Sequence, residues 1–133
     1  MKIADYATGL QHIGIPTKDI DETVLFYTEL GFEVAHSTSD PNTGGRVLFL
    51  KLGNLLLETY EAEDAPSCRG SIEHIAINVT DVEAVYDTIC KRGMNSLEDV
   101  IHFLPYWEKG VRYFTIEGPN KDTCGRGIRS TRG

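Results

Sequence analysis

The chain has 133 residues, a formal net charge of −7, 41% hydrophobic and 25% charged content, the balance of one ordinary globular domain able to bury a core. An acidic chain lacks the basic surface that phosphate neutralisation requires, which excludes nucleic-acid binding as its main role. No apolar run approaches the roughly 20 residues of a membrane helix, and the start Met1-Lys2-Ile3-Ala4-Asp5 is no apolar leader, so a cytoplasmic protein without membrane association is expected.

The first element is a strand, because Ile13 and Ile15 alternate with His12, Gly14 and Pro16. Asp19 then caps a helix whose acidic first turn suits the dipole. Ile20, Val24, Tyr27 and Leu30 make its apolar stripe, and Gly31 stops it. Strands follow over 32–36, 46–52 and 55–60, the last two joined by the hairpin signal Gly53-Asn54. Residues 40–45 and 61–70 read as loops, the second linking two halves.

The second half repeats the first. Leu10-Gln11-His12-Ile13-Gly14-Ile15 lies over Ile72-Glu73-His74-Ile75-Ala76-Ile77, and His12/His74, Asp19/Asp81 and Gly31/Gly93 all differ by 62. Asp81 accordingly caps a helix over 82–92 with Val82, Val85, Tyr86 and Ile89 as its stripe and Gly93 as its stop. A strand is expected within 95–102 and a clear one at Val111–Glu117, followed by the turn Gly118-Pro119-Asn120-Lys121. The fold class is therefore α+β, two tandem βαβββ modules (about 8–61 and 70–121) within one domain over 1–121. Each forms a sheet that curls, and together they enclose a cleft.

The last 12 residues, 122–133, break this pattern, with one large aliphatic residue, three glycines and arginine at every third place from Arg126. We expect that they cannot fill a strand, that the last strand is missing, and that the tail is translated vector sequence. Cys68, Cys90 and Cys124 are odd in number and scattered. They fit neither a disulfide framework nor a zinc ribbon, and Cys68 and Cys90 read as buried or idle thiols.

Chemistry concentrates on three residues. His12 and His74 occupy equivalent places on the two first strands, so an approximate twofold would turn both toward one cleft. Glu58 stands in the apolar run Leu55-Leu56-Leu57-Glu58, where a carboxylate is costly to bury unless paired or bound to a cation. Its alternative is an edge strand facing water. Two histidines and a carboxylate suit a borderline divalent metal. Tyr106, Trp107 and Tyr113 could wall an apolar pocket, or close over the core. His36 and His102 are given no role.

Leu10-Gln11-His12-Ile13-Gly14-Ile15, Phe26-Tyr27-Thr28-Glu29-Leu30-Gly31-Phe32, Gly53-Asn54-Leu55-Leu56-Leu57-Glu58, Glu73-His74-Ile75-Ala76-Ile77 and the turn Glu117-Gly118-Pro119-Asn120 together resemble the vicinal oxygen chelate superfamily of glyoxalase I, bleomycin-resistance proteins and extradiol dioxygenases. The glyoxalase I branch is the nearest. The resemblance implies a metal held by His12, Glu58 and His74, zinc or nickel first, with cobalt, iron or manganese as alternatives. It also implies a homodimer, and a lactoylglutathione lyase-like isomerisation of a small α-hydroxycarbonyl or thiohemiacetal with Glu58 as base. Glu58 separates branches, since dioxygenases and fosfomycin-resistance proteins generally use only the histidines and a last glutamate, and methylmalonyl-CoA epimerases tend toward glutamine there.

Two departures stand out. The family's fourth ligand, an eighth-strand glutamate, has no counterpart in the tail. Where related bacterial glyoxalases hold glutathione with an arginine, this chain has Pro16-Thr17-Lys18. The rival reading is a metal-free drug-sequestering protein of the bleomycin-resistance type, which the His12, Glu58 and His74 set argues against.

Overall fold

A computed structural model of the protein describes residues 2–66, 68, 75, 77–105, 108–120 and, for the backbone, 128–130. By contacts the chain divides into two compact units, Met1–Pro66 and Ser67–Gly133, each holding one copy of the repeat.

In the first unit, a short 3-10 turn (Ile3–Asp5) precedes β1 (Ile13–Thr17), α1 (Ile20–Glu29), β2 (Glu33–Ser39), β3 (Arg46–Leu52) and β4 (Leu55–Glu61). The strands form one sheet in the order β1-β4-β3-β2. β1 runs parallel to β4, with Ile13 opposite Leu57 and Gly14 opposite Glu58, and the other pairs are antiparallel. A parallel partner demands a crossover, which α1 and the β2–β3–β4 meander supply.

Local chemistry starts α1 where the sequence predicts. The Asp19 carboxylate accepts the Glu22 amide at 3.0 Å, and a buried hydroxyl pair, Thr17 Oγ1 to Thr23 Oγ1 at 2.9 Å, ties the end of β1 to the helix's first turn. Thr17 Oγ1 also takes the Asp19 amide at 3.1 Å. After the helix, Gly31 adopts a φ of 106°, open to glycine and strained for other residues. The buried stripe is Ile20, Thr23 and Tyr27. Val24 and Leu30, expected in it, are half-buried, because the bonded Thr23 hydroxyl occupies the centre of the contact. Tyr27, Phe32, Leu48, Leu50 and Leu57 form the core between helix and sheet.

The second unit repeats this plan with β5 (Ile77–Asn78), α2 (Val82–Lys91), β6 (His102–Leu104), β7 (Val111–Phe114) and β8 (Ile128–Ser130). The sheet order β5-β8-β7-β6 is that of the first unit, strand for strand. The Asp81 carboxylate accepts the Ala84 amide at 3.0 Å, and Val82, Ile89, Val111, Phe114 and Ile116 are buried.

Three expectations need correction. The eighth strand is present: Ile128–Ser130 lies between β5, to which it is parallel, and β7, to which it is antiparallel. Strand pairing is made by backbone groups, and the slot between β5 and β7 offers a ladder on each side, so poverty in aliphatic residues does not bar the tail from it. The strand sought in 95–102 begins only at His102, because residues 95–101 are held as a loop by side chains. Cys68 and Cys90 are exposed rather than buried, Cys90 because it sits on the outer side of α2. In the β6–β7 connection, Gly110 has a φ of 73°, and a Cβ there would lie 2.4 Å from the Phe103 ring.

A chain ended at Lys121 would leave β5 and β7 without their shared neighbour. Hydrogen exchange should then show the amides of Val111–Phe114 losing at least about tenfold in protection while those of β3 and β4 keep theirs. Unchanged exchange in β7 would mean that the tail adds no strand.

Candidate functional site

The first sheet has one face on α1 and one open. Leu48, Leu50, Leu57 and Thr59 are buried on the helix side, and alternate residues project the other way. In register across the open face, Gly14 lies beside Glu58, Glu58 beside Phe49, and Phe49 beside His36. His12 precedes Ile13, the partner of Leu57, so it shares this face one diagonal step from Glu58. Ladder spacings put the two Cα positions about 8 Å apart, close enough for both side chains to reach one ion.

Glu58 is half-buried, and its strand is interior, with β1 on one side and β3 on the other, not an edge facing water. Its face neighbours Leu56, Phe49 and Tyr60 are apolar or aromatic, with Lys51 one diagonal step away on β3, so the carboxylate sits where a cation partner is worth much. Gly14, opposite it, leaves a gap that only the Tyr60 ring edge approaches, 3.7 Å from where a Cβ would stand. His12 is exposed, its ring edge-on to Phe49 with centroids 5.9 Å apart. Its Nδ1 contacts Gln11 Oε1. With Nδ1–H donating there, Nε2 carries the lone pair, the usual arrangement for a ligating histidine.

These donors fit a divalent metal. Among the described residues no three His, Cys, Asp or Glu side chains gather into a metal-binding group. The register puts His12 and Glu58 on one sheet face, and His74 lies outside the described residues, as do Tyr106 and Trp107.

The second sheet shows Tyr113 on the face turned from α2, since its neighbours Arg112 and Phe114 meet the helix through Glu83 (2.6 Å) and Tyr86. Tyr113 lies against the His102 ring at 5.3 Å. His102 in turn meets Asp99 through Nε2 at 2.6 Å. Asp99 is the hub of the 95–101 loop. Its other oxygen accepts the Thr115 amide at 2.7 Å, its carbonyl accepts Tyr86 Oη at 2.7 Å and Asn95 Nδ2 at 3.0 Å, and its amide donates to Asn95 Oδ1 at 3.0 Å. Burial acts to raise the Asp99 carboxyl, but hydrogen bonds from His102 and from the Thr115 and Val100 amides outweigh it and hold the group below its ordinary value. A shallow cleft of about 340 Å³ beside this loop is lined by Tyr86, Cys90, Asn95 and Asp99, on the helix-bearing side and so away from the Tyr113 face.

Residues 9–120 match the sequence profile of the glyoxalase/bleomycin resistance protein/dioxygenase superfamily. The chain belongs to that superfamily. The uncharacterized protein YwbC of Bacillus subtilis is 31% identical over 121 residues, which are 86% of this chain and 92% of YwbC. Human mitochondrial methylmalonyl-CoA epimerase is 28% identical over 102 residues, 69% of this chain and 58% of the epimerase. Among solved structures, a glyoxalase family protein from Enterococcus faecalis superposes with a TM-score of 0.71 at 23% identity, covering 94% of this chain and 98% of its own. The fosfomycin resistance protein FosX from Listeria monocytogenes, solved with Mn(II) and sulfate, gives 0.63 at 17% identity, covering 96% and 93%. Divalent metal thus occurs among superfamily structures of this fold. No helix among the described residues is long and apolar enough to cross a membrane.

The Asp99 hub predicts an acid signature for this member of the superfamily. A carboxyl held below its unfolded value stabilises the fold fully above that value, near 3.9, and ceases to do so as pH falls through the lower folded value. Urea titrations should therefore show Asp99→Asn less stable than the parent at pH 6, with the gap closing below about pH 4. A gap that widens there would contradict the sign.

Proposed function

We infer that this protein is a metal-dependent glyoxalase-type lyase or isomerase acting on a small substrate with two neighbouring oxygens, such as an α-hydroxycarbonyl or a thiohemiacetal. The observation that carries the reading is the shared open face of β1 and β4, where His12 and Glu58 stand one diagonal step apart on a sheet whose other face is the core. His12 and Glu58, with His74 of the repeat, would hold a divalent first-row metal, zinc or nickel before cobalt, iron or manganese. When bound, such an ion supplies Lewis acidity to the substrate's oxygens.

The chain's own part is proton movement and enclosure. Glu58 takes the proton from the carbon next to the carbonyl and returns it to the neighbouring carbon, the work of a positioned general base. β8 contributes Ile128, Arg129 and Ser130, so that strand brings no second carboxylate and the role rests on Glu58. Gln11 fixes the His12 ring, and Phe49 floors the site. The kinship to an epimerase, an enzyme that inverts a carbon centre, supports proton transfer over sequestration of a drug.

The test loads metal-stripped protein with Co(II), Ni(II) or Zn(II) in a calorimeter and then assays the methylglyoxal–thiol adduct. One ion per chain is expected, held at least tenfold more weakly after His12→Ala or His74→Ala, since even the loss of a group that merely orients a ligand is worth that much. Glu58→Gln should cut turnover by roughly a hundredfold or more. Parent protein that takes up no ion, or a His12→Ala variant that binds as tightly as the parent, would refute the reading.

A further inference from the structure

Strict alternation from Glu33 would turn Ala35 to the open face and His36 toward α1. The register differs. Val34 stands opposite Leu50 and His36 opposite Phe49, so Ala35 is an inserted residue. Such a bulge shifts the alternation by one position and re-aims the side chains beyond it. Here it delivers His36 to the face that carries Phe49, Glu58 and His12. The His36 and Phe49 ring centroids are 6.1 Å apart, and His12 meets the same phenyl ring at 5.9 Å. Phe49 therefore has a histidine at each side.

Spacing sorts the roles of the two histidines. His36 and Glu58 are two strands apart in the sheet, roughly 10 Å between Cα positions at about 4.8 Å per strand. From His12, His36 is three strands and a diagonal step away, roughly 16 Å between Cα positions, too far for both rings to bind one ion at ligand bonds of about 2 Å, so with His12 on the metal His36 stands beyond it. It suits a substituent two or three bonds further along a molecule lying over the Phe49 ring. An imidazole has an N–H to donate in either protonation state, and its strongest acceptor is a carboxylate. Lys51, also on this face, stands opposite Glu33, whereas His36 lies against the Phe49 ring and is the donor beside it.

We propose that His36 determines specificity by binding an acidic group of the substrate, separated by two or three carbons from the paired oxygens that seek the metal. The inference rests on the metal-site reading above. Its test uses Co(II)-loaded full-length protein, followed by visible absorption, and two probes. Pyruvate presents the paired oxygens alone, and 2-oxoglutarate adds a carboxylate two methylene groups away.

The parent should bind 2-oxoglutarate at least tenfold more tightly than pyruvate, about the worth of one charge-assisted hydrogen bond. His36→Ala should abolish that preference while Co(II) and pyruvate affinities stay within about twofold, and His36→Gln, which keeps an N–H, should retain part of it. A parent without the preference, a His36→Ala variant that keeps it, or one that weakens both probes alike would overturn the proposal while leaving the metal site standing. A parent that shows no Co(II) absorption would overturn both.

Discussion

The parallel pairing of β1 with β4 is the constraint on which the rest of the first module depends. It fixes which residues of β4 enter the core and which stand opposite. A slip of one residue would expose Leu57 and Thr59 and drive Glu58 against α1, and burying a lone carboxylate in that core costs several kcal/mol. Glu58 thus enforces its own register as well as offering chemistry. The Thr17–Thr23 hydroxyl pair holds the other end of β1, so the strand that His12 leads into is anchored by buried, mutually satisfied polar groups and not by apolar packing alone.

Much of this was legible in the residues. The period of two around Ile13 and Ile15, the aspartates at 19 and 81, the glycines at 31 and 93 and the constant offset between halves state local physics that the tertiary fold obeys. Caps and turns are decided within a few residues, which is why they read so directly. What escaped was decided at a distance. Nothing near Ala35 announces an insertion, because a bulge is a relation between β2 and β3, and so His36 looked like any strand histidine. Side chains say little about the tail, because the slot between β5 and β7 selects for backbone. Thr23 takes its place in the buried stripe only through Thr17, which lies in another element.

The superfamily frame leaves function to a handful of face residues. One fold carries an epimerase and a fosfomycin resistance protein among this chain's relatives, so the scaffold by itself does not choose the reaction. In the function proposed for this chain the choice falls to the groups on the open face of the first sheet: a carboxylate in an interior strand, a histidine whose ring is turned by Gln11, a phenyl floor, and a second histidine brought round by one extra residue. Each is placed by the sheet, a more rigid support than a loop.

The strand order also has a temporal side. In each module the fourth strand slots between the first and third, so the first strand waits unpaired while the crossover is made. Domains tend to fold from the N-terminus during synthesis at about 5–20 residues per second. At that pace β5 remains without its neighbour for several seconds, whereas the whole first sheet is already in hand by Glu61. The nascent chain therefore carries a finished half beside an unfinished one, and chaperone protection is needed most while residues 79–127 are being made.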